Sequence, residues 1–318
     1  MRTRSLPTIN EVNILFLVLG LVLLIFGSMA QQRDLYIGVL ITEYIFILAP
    51  NLIYLKLRGY SLRNVLGLNP ITIRQSIQII LIMVFAYPMA VFLNYIVLVM
   101  VNSVSPAMPI GVPAPANLIE YLIGLLVIAV TPGICEEVMF RGTMQAAYTR
   151  MGERKAILIS SILFGMFHFN LLNLLGPLFL GIVLGIIRFK TNSLYGSILG
   201  HTINNGIALT LGFLLAGFTE NIQEITEQAP LIPEGLQLMI TLVMLGGWAL
   251  FSFVVLYLLL KNLPGPGYKT RIETSMDAID SVEGHEDAAM DHYSISWAPI
   301  VVIACIFILL NYRYFFLI

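Results

Sequence analysis

A chain of 318 residues that is 58% hydrophobic and only 11% charged, with a mean hydropathy of +0.89, lacks the polar surface of a soluble domain, in which about 25% of residues are charged. Its net charge of −1 gives no basic footprint for a nucleic-acid partner. The two cysteines, Cys135 and Cys305, fall in apolar stretches and read as buried thiols, not as a disulfide framework.

The first apolar run follows "MRTRSLPTINEVN" and has no small-residue cleavage pattern, so it reads as a retained first span over 12–30. Further runs long enough to cross a bilayer lie at 35–55, 75–101, 117–140, 155–171, 174–190, 193–217, 236–260 and 297–317. The predicted fold is therefore all-α, a polytopic transmembrane bundle of about nine spans. Basic residues occupy alternate loops: Arg2 and Arg4, then 56–74, 150–155, 188–190 and 261–271. The opposite loops carry Arg33 as an exception and, at Glu220, Glu224, Glu227 and Glu234, an acidic cluster. The positive-inside rule places the N-terminus in the cytoplasm and, with nine spans, the C-terminus outside. The expected protein is an integral multi-pass protein of the cell membrane. Its divisions are N-terminal helices over 1–114, a core over 115–217, an outer loop and eighth span over 218–261, an acidic cytoplasmic linker over 262–296, and a last helix over 297–318. His285 and His292 in the linker read as exposed histidines.

Within the spans, strongly polar residues concentrate in "TPGICEEVMFRG" (Glu136, Glu137, Arg141), "SSILFGMFHFN" (His168) and "ILGHTINNG" (His201, Asn204, Asn205). Charge inside a membrane is costly and marks function. Counted from the nearest basic edge, Glu136 is roughly 21 Å deep, His168 roughly 20 Å and His201 roughly 16 Å. Three separate stretches thus bring unusual residues to one level. Glu137 and Arg141 are four apart on a helix and can pair. Glu136, turned away by about 100°, lacks that partner. A carboxylate deprived of both water and counter-charge is the better proton acceptor and suits a general base. His201 and Asn205 also share a face and offer N–H donors to an oxyanion. Asn204 reads as interhelical glue, and Gly181, Gly185, Gly196 and Gly200 as close-packing positions. Pro132 and Gly133, one turn before the glutamates, predict a kink.

"EEVMFR", "FGMFH" and "HTINN" fit E-E-x-x-x-R, F-x-x-x-H and H-x-x-x-N, in that order, over roughly 115–215. In these motifs the chain resembles the CAAX-protease and bacteriocin-processing family, also called Abi, of Rce1-like intramembrane endopeptidases. The resemblance implies an eight-helix core, to which this chain adds a C-terminal helix, and a cavity opening toward the cytoplasm. It further implies that Glu136 and His168 activate water, that His201 and Asn205 hold the oxyanion, and that Glu137, Arg141 and Phe164 support them. The substrate would be a membrane-associated or lipid-modified peptide. No cofactor is required on this reading; a divalent metal such as zinc remains the alternative, with Glu137, His168 and His201 as its ligands. Two other readings of the same buried groups are a transporter or proton relay and a non-catalytic immunity or secretion partner with the same fold.

Overall fold

The computed structural model describes residues 6–105, 114–216, 233–266 and 294–316, and among these the chain is helical with no β-sheet. The helices are α1 (Ile9–Arg33), α2 (Leu35–Leu57), a short α3 (Leu62–Leu66), α4 (Ile73–Asn102), α5 (Leu118–Met151), α6 (Glu153–Met166), α7 (Leu171–Thr191), α8 (Leu194–Ala216), α9 (Glu234–Lys261) and α10 (Ala298–Phe316). Side chains set several of the starts. Thr8 and Glu11 form a capping box ahead of α1, and Thr72 and Gln75 form another ahead of α4. Asn117 accepts from the Glu120 N–H at the start of α5. The acidic outer loop and the linker, with His285 and His292, fall outside the described residues except at their edges.

Eight described helices are long and apolar enough to cross a membrane. The fifth expected span differs: α6 has 14 residues, roughly 21 Å of rise, and stops at Met166 instead of continuing to 171. It stops because Phe169 adopts a left-handed φ of 50° and the Asn170 side chain caps a new turn by accepting from the Leu172 N–H. Irregular backbone at membrane depth must find internal partners. Here Asn311 of α10 supplies them, its side chain accepting from the Leu171 N–H at 2.7 Å and donating to the Phe169 carbonyl at 3.3 Å.

Helix α6 lies along α7, α4 packs against α7, α8 and α9, α2 packs against α5, and α1 pairs with α10. Small residues bring α6 and α7 together: a Cβ on Gly181 would stand 3.0 Å from the Ser161 Cα, and one on Gly185 would stand 3.0 Å from Ile157. Gly200 likewise admits Leu184. One apolar cluster joins Phe16, Phe140, Phe164, Phe167 and Ile303, from α1, α5, α6 and α10. A second joins α4, α7 and α9 around Ile82, Leu184 and Leu256. Cys135 is buried as expected; Cys305, on α10, is exposed.

Candidate active site

Helix α5 is not regular. Two π-helical stretches, Leu125–Val130 and Val138–Met144, flank a short α segment, Thr131–Glu137, that carries both glutamates. Such distortions are frequent at functional sites. Pro132 has no N–H for the Ile128 carbonyl one turn back, and Asn205 of α8 donates its side-chain amide to that oxygen at 3.2 Å. At Gly133 the two helices come into close contact. A Cβ there would lie 2.4 Å from Thr202 Oγ1 and 3.1 Å from the Thr202 backbone nitrogen. The sequence "TPG" therefore draws α8 onto α5 one residue away from His201, so that the next helical turn of α5 faces the imidazole.

Glu137 and Arg141 are both buried and form the expected ion pair, Nη1 to Oε1 at 3.1 Å. The same Oε1 lies 2.9 Å from His201 Nδ1. A carboxylate that balances a guanidinium is an acceptor, so the proton at that contact sits on Nδ1, and Nε2 is the atom His201 presents to the cavity. The Arg141 guanidinium also lies over the face of Phe164, 4.3 Å from its centroid. His168 and His201 meet the same phenylalanine edge-on, with centroids 5.3 and 5.6 Å away and interplanar angles of 89° and 86°. Phe164 is thus the common floor on which the cation and both imidazoles are set.

Glu136 takes no part in that pair. Its Oε2 lies 3.8 Å from His201 Nε2 and it lines a cavity of about 490 Å³. His168, Asn204, Asn205 and Phe164 line the same cavity, together with Asn94 of α4. His168 follows the end of α6 and donates Nδ1–H to the Phe164 carbonyl at 3.0 Å, which leaves the Nε2 lone pair as its acceptor. Asn205 accepts from Asn204 at 3.2 Å; one of its two amide protons goes to Ile128, and the other is uncommitted. All seven residues singled out from the sequence therefore surround one site.

Three residues of the site escaped the sequence reading. Glu43 of α2 is only 7% exposed, its Oε2 has no hydrogen-bond partner, and it interacts electrostatically with Glu136 and Cys135. The visible signal was one acid in "VLITEYIFIL". Asn311 secures the turn after His168. Asn94 accepts from the Gly176 N–H at 2.7 Å and donates to Asn173 at 2.9 Å, forming the cavity wall away from the glutamates. Among the described residues no three His, Cys, Asp or Glu side chains converge as a metal-holding group. In the set Glu137, His168 and His201, one oxygen of Glu137 serves Arg141 and His201, and His168 uses its Nδ1 on a backbone carbonyl. No step below passes through a metal.

The helical membrane bundle thus sets a carboxylate, two imidazoles and an amide around one internal cavity. Residues 118–207 match the family model described as type II CAAX prenyl endopeptidase, Rce1-like. The match runs from the start of α5 to the middle of α8, the stretch that holds the three motifs. No curated protein and no solved structure matches the chain.

Proposed function

We propose that the protein hydrolyses a peptide bond of a membrane-associated or lipid-modified peptide with water activated by Glu136 and His168. The observation that carries this reading is the convergence of Glu136, His168, His201 and Asn205, from three separate stretches, on one cavity. Glu136 and the free Nε2 of His168 accept from the water as its oxygen attacks the scissile carbonyl carbon. The carbonyl oxygen, now negative, is met by the uncommitted Asn205 N–H and by Nε2–H of His201, a step that requires the ring to be imidazolium, with protons on both nitrogens and Glu137 as the partner of Nδ1–H. Collapse of the tetrahedral species breaks the C–N bond, and the proton held by Glu136 passes to the departing nitrogen. Glu137 and Arg141 position His201, and Phe164 fixes the two rings. Each proton movement is assigned to a side chain.

The test compares membranes containing the parent with membranes containing Glu136→Gln. Cleavage of a responsive peptide, read as newly formed termini by mass spectrometry, is expected to fall by about 10²–10⁴ with insertion and folding unchanged. A variant that keeps full turnover sinks the proposal. Substrate-driven flux that survives Asn205→Ala would select the transporter reading instead.

A further inference from the structure

The two ends of the bundle are chemically distinct, and the cavity belongs to one of them. At the first end, loops are laced together. Arg58 pairs with Glu11, Arg150 donates to the Leu6 carbonyl at 3.1 Å, the Leu194 N–H donates to Gly67 at 3.0 Å, and Gln75 donates to Pro264 at 3.1 Å. Ten described lysines and arginines gather there, in 56–74, 150–155, 188–190 and at Lys261, whereas Arg33 and Arg313 stand at the other end. The cavity runs away from this basic end. On α4 its wall extends from Tyr87 to Asn94, roughly 20 to 30 Å beyond Arg74. On α8 it extends from His201 to Gly212, roughly 16 Å further from the basic loops. It ends against Ala114 and Pro115, in the segment that joins the far ends of α4 and α5.

We infer that the active site is served from the face opposite the basic loops, which the positive-inside rule makes the extracytoplasmic face. The resemblance to the Rce1-like family implies a cytoplasmic opening; the lining residues run the other way. Resting on the hydrolytic reading for its chemistry, the inference narrows the substrate to a peptide segment already carried across the membrane, lipid-anchored or free. A tail that is made and lipidated in the cytoplasm would approach from the basic end, away from which the cavity runs.

Accessibility of single cysteines tests this independently of turnover. In a chain with Cys135→Ala and Cys305→Ala, cysteine is introduced as Ala114→Cys, exposed at the far end, as Gly212→Cys, where an added Cβ meets no atom within 4 Å, or as Arg154→Cys, exposed at the basic end. Intact cells are treated with a membrane-impermeant maleimide. Ala114→Cys and Gly212→Cys are expected to label, and Arg154→Cys only after permeabilisation. Labelling of Arg154→Cys but not Ala114→Cys in intact cells overturns the orientation. Gly212→Cys reacting from neither face, or only from the face of Arg154→Cys, overturns the direction of access. Full turnover in Glu136→Gln with this labelling pattern intact would sink the hydrolytic reading and leave the direction of access standing, whereas lost turnover with the opposite labelling pattern would do the reverse.

Discussion

Removing the guanidinium of Arg141 leaves Glu137 as an unbalanced carboxylate in a site with almost no exposure, one of whose oxygens already lacks a partner. Breaking a buried pair from one side costs about 3–5 kcal/mol. Arg141→Met is therefore expected to destabilise by about that amount, including the loss of the contact 4.3 Å above Phe164. Glu137→Gln strands the arginine instead and should cost a similar amount. The double variant replaces both charges by neutral groups, and glutamine still offers an oxygen to His201 Nδ1. Its cost should not exceed that of either single change, which corresponds to a coupling of about 3 kcal/mol. Reversible unfolding in mixed micelles, titrated with dodecyl sulfate and followed by circular dichroism, measures all three. Strictly additive costs would show that the ion pair at 3.1 Å carries no coupling energy, and the account of Arg141 as counter-charge would fail.

Other expectations follow from the same geometry. Gly133→Ala should push α8 away from α5 and lower turnover at least tenfold, because its Cβ would press on Thr202; Thr202→Ala should restore part of the loss, and a silent Gly133→Ala in a peptidase assay would contradict the close approach. Asn311→Leu removes two hydrogen bonds from the turn after His168, with an expected cost of about 1–3 kcal/mol and a fall in kcat larger than any change in KM. Glu43→Gln, which removes a buried acid interacting with Glu136, should shift the pH profile of kcat while leaving binding of an uncleaved substrate unchanged; an unmoved profile argues against that interaction. Chelation should leave proteolysis at its initial rate, and recovery on added zinc after a loss would revive a metal role for Glu137, His168 and His201.

Much of the site was legible because its residues come in pairs at helical spacing. Glu137 with Arg141, and His201 with Asn205, declare a shared face through an interval of four, and their distances to the basic loops declare a shared depth. Glu43, Asn94 and Asn311 carry no such interval. Each is one polar residue in an apolar span, and only the packing of α2, α4 and α10 gives it a neighbour. The length of α6 was misread for a different reason. Hydropathy continues smoothly through "FGMFHFN", whereas the helix is ended by backbone geometry at Phe169 and a side-chain cap at Asn170, to which apolarity is blind. The π-helical stretches of α5 were hidden likewise, since the proline marks a lost donor but not how the surrounding turns widen.

The last helix is separated from the motif-bearing segment by more than eighty residues, yet it is joined to that segment at both ends. Near its start, Trp297 stacks on Tyr148 with centroids 6.2 Å apart, Tyr148 hydrogen-bonds Asn13, and Asn13 donates to the Ser296 carbonyl at 2.8 Å. Near its end, Asn311 grips the turn that carries His168. The motif-bearing segment is consequently not a transplantable cassette. A chimaera that grafts 118–207 onto foreign helices would inherit every motif and still lack the hand that holds one of its two imidazoles in register.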